Sequence, residues 1–486
     1  MKKSFFTTCL VTLLAAGGLH AGEPDYAEGV FFLNEGWLGH QNGTINHLSQ
    51  DGRWNYRVFQ QENPGMELGC TATYGTVFKG RMYIISKQAR DFGSSVTGGR
   101  ITVCDAVTMK CIRQIGNIAT DSAGRSIADG RAFTGIDSCK GYVSTSNGIY
   151  VMDLGTLEVE GLVAGSGGAG GLYSDQCGTM LHYGDRVFAL HQKKGLLVID
   201  AGNDTVVHVI GAPVERTPDG KTVRRGFGSI VQAKDGSMWL SVTGDVTGSG
   251  NTVDYFFRFD PDNLDTTRIS LPAGYGLPNS WYSWTADAFC ASAVQNRLYW
   301  KKQGENRYKS SVICCYDIDK GECRDIFDAK DMGWYMYCGA GFRLHPRTDE
   351  IYVSLYQDNL KQAYETLRLS ADGELLETYE MAANCWFPAM PVFPDGQHPD
   401  TPDDPVAGEA CKPSSLLHVY PNPTVDAVNV DVSGPAFLEV LAVDGRRIFG
   451  KEVGAGVQEV RLGRSGVYFV RVSANGGVAV KRVIRR

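Results

Sequence analysis

An aspartate that recurs along the chain constrains this sequence more than any other feature. It opens a turn at Asp51 (QDGRW), Asp105 (CDAVTMK), Asp153 (MDLGTLE), Asp200 (IDAGNDT), Asp260 (FDPDNLD), Asp317 (YDIDKGE) and Asp372 (ADGEL), at intervals of 47 to 60 residues. Such an interval holds four short strands with their loops, the content of one propeller blade. Each carboxylate is suited to accept hydrogen bonds from backbone N–H groups about two residues on, closing the turn between the outer strands of a blade. Upstream lie matching runs at residues 81–85, 141–144, 186–190, 237–240, 297–300 and 350–353, whose β-branched and aromatic residues alternate as in strands. The fold class expected is all-β: a seven-bladed β-propeller closed by pairing the run at residues 29–33 with the last blade, which removes the open edge. The long intervals around Asp260 leave room for an insertion, expected at residues 243–254.

Composition agrees with many turns between short strands, since 59 of 486 residues are glycine and 18 are proline. A net charge of −7 argues against nucleic acid as a partner, because neutralising phosphates needs a basic surface. Residues 1–21 read as a cleaved secretory signal. Lys2 and Lys3 precede an apolar stretch at residues 5–14, and Leu19-His20-Ala21 offers a cleavage point before Gly22. The stretch falls short of the ~20 residues a spanning helix needs. Cys9 lies inside it, not at a cleavage point, so no lipoprotein signal is read.

The other twelve cysteines form an even set in an exported chain, which favours disulfides over a metal cluster, since paired C-x-x-C units are missing. Cys104 and Cys111 flank a predicted hairpin turn and are the expected pair. Cys323 holds a similar position, with Cys314 or Cys315 as its expected mate. The remaining connectivity is open.

Composition changes abruptly after the propeller, expected to span residues 22–393. Residues 394–413 form a proline- and acid-rich linker, and a further domain is expected at residues 414–486. Residues 22–410 carry 34 Lys+Arg against 48 Asp+Glu, whereas residues 411–486 carry 11 against 6. The basic ending Lys481-Arg482-Val483-Ile484-Arg485-Arg486 alternates as a terminal strand does.

Three family resemblances follow from quoted motifs. Tyr142-Val143-Ser144-Thr145-Ser146-Asn147-Gly148-Ile149-Tyr150-Val151-Met152-Asp153 resembles the repeat of YVTN-type, surface-layer-like β-propellers. The opening Val30-Phe31-Phe32-Leu33-Asn34-Glu35-Gly36, followed by Trp37-Leu38-Gly39, is similar to the start of exported propellers that capture cobalamin on outer-membrane vitamin transporters. Val419-Tyr420-Pro421-Asn422-Pro423, residues 438–447, residues 466–472 and residues 480–483 together resemble the C-terminal sorting domain of type IX secretion, a small Ig-like β-sandwich. That likeness implies contact with the type IX machinery, passage across the outer membrane, removal of the tail, and a mature protein on the cell surface or secreted. The propeller likenesses imply a corrinoid or other small-molecule ligand and an outer-membrane transporter as partner.

No catalytic or metal-binding constellation is read, and no cofactor is expected. Gly165-Ser166-Gly167-Gly168-Ala169-Gly170 fits G-x-G-x-x-G but leads into no helix, so it reads as an inter-blade loop. The histidines at 40, 47, 182, 191, 208, 345, 398 and 418 lack metal spacing. Aromatic residues gather where one blade hands over to the next: Phe133, Tyr173, Phe227, Trp281, Tyr282, Trp284, Trp334, Tyr335, Tyr337, Trp386 and Phe387. These connections converge around a propeller's channel, and a ring of aromatic faces suits a large planar or sugar-bearing ligand. The alternative for the same rings is packing between blades. Asn34, Trp37, Arg131, Asp175 and Arg225 complete the candidate ligand contacts. A non-catalytic binding propeller leads the reading; a polysaccharide-acting enzyme and a protein-binding adhesion scaffold compete with it.

Overall fold

The computed structural model describes residues 25–394, apart from 169, 218, 248–251, 278–286, 303, 305–308, 338 and 358–362. In the tail it describes residues 418–486, apart from 421–423, 433, 444–445 and 475–476. The expected signal, most of the linker, and Trp281, Tyr282 and Trp284 lie outside the described residues.

Seven antiparallel sheets follow one another along the described chain, each with three strands after the innermost position. Blade 2 shows the plan: Cys70–Phe78 innermost, then Arg81–Gln88, Ile101–Asp105 and Cys111–Ile115. Blades 3 and 4 repeat it from Gly130–Gly135 and Cys177–Tyr183, and blades 5 and 6 from Gly226–Gln232 and Cys290–Ala291. In blade 7 the innermost position is shared by Trp334–Met336 and Phe342–Leu344, both paired to Ile351–Gln357. Burial follows from this stacking. Gly148–Asp153, third in blade 3, is buried throughout, whereas the outermost strand Glu158–Leu162 is largely exposed.

Closure joins the two ends of the propeller. Val30–Asn34 pairs with Pro388–Val392, with Phe31 opposite Val392 and Phe32 opposite Pro391. The ladder therefore runs through Pro391, although proline has no N–H to give it. An innermost strand has one edge without a neighbour in its sheet, so a missing N–H there breaks no ladder bond.

All seven aspartates stand in the turn between the third and fourth strands, as expected. Asp105 Oδ1 accepts the N–H groups of Val107 and Thr108 at 3.1 and 2.8 Å, and Asp153 Oδ1 accepts those of Gly155 and Thr156 at 2.8 and 2.7 Å. Asp372 departs from the pattern. Ser370 Oγ takes the N–H groups of Asp372 and Glu374 there, and the Asp372 carboxylate pairs with Arg297 and Arg324.

Within the long interval before Asp260 the structure adds a hairpin absent from the sequence expectation. Val214–Arg216 pairs with Thr222–Arg224 between blades 4 and 5. Its strands are largely exposed and carry no apolar alternation, so they leave no strand signature. The expected insertion at 243–254, of which residues 248–251 lie outside the described residues, falls between the second and third strands of blade 5, Met238–Thr243 and Tyr255–Phe259.

The tail is a β-sandwich. One sheet contains His418–Tyr420, Ala427–Val432 and Gly456–Arg461; the other contains Arg447–Val453, Ala436–Ala442, Gly466–Ala474 and Gly477–Arg485. Val428, Val430, Leu438, Val440, Val470 and Val483 pack between them.

Among the described residues no two cysteines are joined in a disulfide. Cys104 and Cys111 are nevertheless register partners on neighbouring strands. Cys323 stands opposite Tyr316, while Cys314 and Cys315 face Asp325 and Arg324, so neither expected mate is its register partner.

Candidate functional site

Up-and-down strand order sends the connections between blades to the same face as the loops joining second and third strands. The aspartate turns occupy the opposite face. The candidate site lies on the first of these, and the structure divides its residues into three groups.

The first group surrounds Arg131 in the innermost strand of blade 3. A register shift between Gly130 and Ala132 makes Arg131 the extra residue of a β-bulge, a device that re-aims a side chain. Arg131 is 4 % exposed; Nη1 donates to the Gly130 carbonyl at 3.0 Å and Nη2 to Gln176 Oε1 at 3.1 Å. Nε has no partner among the described residues. Burial lowers its pKa, an effect opposed by the nearby Asp129 carboxylate. Asp129 is itself engaged, since Arg100 holds Oδ1 at 3.2 Å and the Tyr173 hydroxyl donates to Oδ2 at 3.0 Å. Gln176 Nε2 continues the network to Gln192 Oε1 at 3.5 Å.

Asp175 lies in the same connection, with Oδ1 at 3.7 Å from His191 Nε2, too long for a hydrogen bond. His191 Nδ1 accepts the N–H groups of Lys193 and Lys194. Burial first, then the Lys194 charge, pull the His191 pKa down to about 4, so the ring is neutral at pH 7. Arg131, Tyr173 and Asp175 are thus brought together. Their partners Asp129, Gln176 and Arg100 were not singled out in the sequence. The run Asp129-Gly130-Arg131, two charges flanking the start of an innermost strand, is the signal that points to Asp129.

The second group is exposed. Trp37 is 41 % exposed and its ring centroid lies 3.8 Å from that of His40. Leu38 at 63 % and Phe92 at 82 % join it from the loops of blades 1 and 2. Asp91 fastens those loops: Oδ2 accepts the Gly39 N–H at 2.7 Å, and the Asp91 N–H donates to Asn42 Oδ1 at 2.7 Å. Gly39 is required here, because its φ is +90° and a Cβ would stand 2.9 Å from the Phe92 ring. Asn34 lies beneath, fully buried, its Nδ2 donating to Thr44 Oγ1 at 3.1 Å and its Oδ1 without a partner among the described residues.

The third group is packing. Phe133 stacks on Tyr83 at 4.1 Å with an interplanar angle of 5°, between blades 2 and 3. Phe227 is buried among blades 4 and 5. Trp386, Phe387, Tyr335 and Tyr337 gather with Tyr56 where the propeller closes. Trp386 stacks on Tyr56 at 5.3 Å and 6°, and its Nε1 donates to the Ala382 carbonyl at 2.9 Å. Trp334 is half-buried against blades 6 and 7. Arg225 is committed to the inserted hairpin, with Nε donating to Glu215 Oε2 at 2.9 Å and Nη1 to the Gly244 carbonyl at 2.7 Å. The aromatic ring expected around one face is therefore divided between exposed and packing roles.

Comparison with known proteins follows this architecture. A Bacteroides thetaiotaomicron protein described as quinonprotein alcohol dehydrogenase-like is similar in fold, with TM-score 0.54 and 16 % identity over 76 % of this chain and 79 % of that one. The extracellular domain of a putative hybrid two component system from the same organism matches with TM-score 0.42 and 7 % identity, over 91 % of this chain and 61 % of that one. PorZ, a surface component of the type-IX secretion system of Porphyromonas gingivalis, gives TM-score 0.27 and 12 % identity, over 93 % and 74 %. No curated protein matches the chain. Residues 418–486 match the secretion system C-terminal sorting domain, which directs export through type IX secretion and implies contact with its machinery. Residues 28–394, the whole propeller, match the domain of unknown function DUF5074, and the chain belongs to that family.

Proposed function

We propose that the propeller is a non-catalytic ligand-capture module displayed at the cell surface, gripping its ligand on the face of inter-blade connections. The observation that carries this reading is the pairing, on one face, of the clamped Trp37 loop with the Arg131–Tyr173 polar network. Apolar rings beside a few converging polar groups are the usual make-up of a small-molecule site. A corrinoid such as cobalamin is the specific ligand favoured by the resemblance of the opening motif, with delivery to an outer-membrane transporter. The YVTN-type likeness belongs to the same reading, as do removal of the tail and retention on the surface.

The test is calorimetric titration of the secreted protein with cobalamin, haem and a glycan panel. Saturable binding of one of them that weakens at least tenfold in Trp37→Ala or Tyr173→Ala supports the reading; no binding across the panel counts against it. The exposed Trp37, Leu38 and Phe92 favour a second reading, protein adhesion, because contiguous exposed apolar groups often mark interaction sites.

We further propose that Cys104 and Cys111 close as a disulfide after export. The Cys111 N–H donates to Asn63 Oδ1 at 2.8 Å instead of to Cys104, as suits a non-hydrogen-bonded pair, in which strands approach closely enough for a bridge. Both thiols lose their protons, and the two electrons pass to the disulfide of an envelope thiol–disulfide exchange protein.

A further inference from the structure

The bulge at Arg131 has counterparts on the innermost strands of both neighbouring blades. In blade 2 the register shifts between Ala72 and Tyr74, leaving Thr73 as the extra residue; in blade 4 it shifts between Cys177 and Met180, spanning Gly178 and Thr179. Each bulge carries a buried polar atom that finds no partner among the described residues: Thr73 Oγ1, Arg131 Nε and Thr179 Oγ1. Leaving a buried donor unmet costs about 1–3 kcal/mol, more for a charged group, so three on consecutive strands suit something that binds there.

The charge balance says what that is. Asp129, the carboxylate whose charge acts on Arg131, is already held by Arg100 and Tyr173, and the acceptor on Arg131 Nη2 is the neutral amide of Gln176. A carboxylate or phosphate oxygen makes charge-assisted bonds about twice as strong as an amide does, and it has lone pairs for Nε as well. We propose that the bulges of blades 2, 3 and 4 form an anion subsite, in which a carboxylate or phosphate group of the ligand displaces the Gln176 amide from Arg131 and is met by the hydroxyls of Thr73 and Thr179. The proposal rests on the ligand-capture reading above and names the chemistry of that ligand.

The experiment is thermal unfolding of the full secreted chain in sodium phosphate and in sodium succinate, against sodium chloride at matched ionic strength. At an anion concentration ten times its Kd, the midpoint is expected to rise by roughly 2 °C over chloride. The phosphate and succinate arms decide which anion is preferred. Arg131→Gln is expected to abolish the response, and Thr179→Val to weaken it. Gln176→Glu places a carboxylate of the chain itself on the guanidinium; it is expected to raise the midpoint in chloride and to remove the response to added anion. Should Arg131→Gln fail to fold, Gln176→Glu decides alone. A parent protein indifferent to both anions, or a Gln176→Glu variant that still responds fully, overturns the subsite. An anion response without binding of cobalamin, haem or glycan keeps the subsite and removes those ligands. Ligand binding unaffected in Arg131→Gln does the reverse.

Discussion

The Tyr173 hydroxyl donates to Asp129 Oδ2 at 3.0 Å, tying a ring that is 54 % exposed to a carboxylate that is 1 % exposed. This bond fastens the connection between blades 3 and 4 over Arg131. Burial, reinforced by the Asp129 charge, raises the Tyr173 pKa, so the phenol stays protonated and remains the donor. Tyr173→Phe keeps the ring and deletes the bond. Global stability is expected to fall by only about 1 kcal/mol, because Arg100 still holds the carboxylate. Amide exchange across residues 163–176 should rise by about tenfold or less; exchange unchanged there would show that the bond does not anchor the connection.

Trp386 and Trp37 should respond oppositely to truncation. Trp386 is 3 % exposed and stacked on Tyr56, so Trp386→Ala is expected to cost about 3–5 kcal/mol in urea unfolding. Trp37→Ala, at a ring 41 % exposed, should cost less than about 1 kcal/mol. Equal losses would mean that Trp37 also supports the fold.

That contrast marks where the sequence is legible. The aspartate turns could be read because a short carboxylate accepting its own downstream N–H groups is a local need, written in adjacent residues. Closure could be read for a similar reason, since a propeller must pair its two ends. The face on which an aromatic side chain falls is not local. A bulge moves a residue off the alternation of its strand, as it does at Arg131, so Phe133 lies between blades although it sits two positions away. The hairpin of Val214–Arg216 and Thr222–Arg224 could not be read because it buries little and needs no apolar pattern.

Acid should destabilise the propeller through His191. The ring's pKa is about 4 in the folded chain, whereas the free side chain titrates near 6.5. Between those values the unfolded chain binds the extra proton, so stability falls as pH drops from about 6.5 towards 4 and the loss is complete below that. Lys193 and Lys194 add to the effect and Asp175 opposes it. His191→Asn retains an acceptor for the N–H groups of Lys193 and Lys194 without the titration. Its urea midpoint should depend less on pH across this window than that of the parent; an identical slope would assign the acid sensitivity elsewhere.

Non-reducing peptide mapping of the secreted protein should recover the Cys104 and Cys111 peptides as one linked species. Closing so short a loop is worth about 2 kcal/mol in the chain-entropy account, so reductant should lower the unfolding midpoint of the parent and leave Cys104→Ser/Cys111→Ser unchanged. Free thiols at both positions in protein taken from the cell surface would refute the bridge.

The central claim is that the inter-blade face, not the aspartate-turn face, holds the ligand. Hydrogen exchange of the secreted protein with and without the ligand found by titration tests it most directly. Protection is expected in residues 35–43 and 163–176, around Trp37 and Tyr173, with the turns after Asp153 and Asp200 unchanged. Protection concentrated at those aspartate turns, with none around Trp37 and Tyr173, would contradict it.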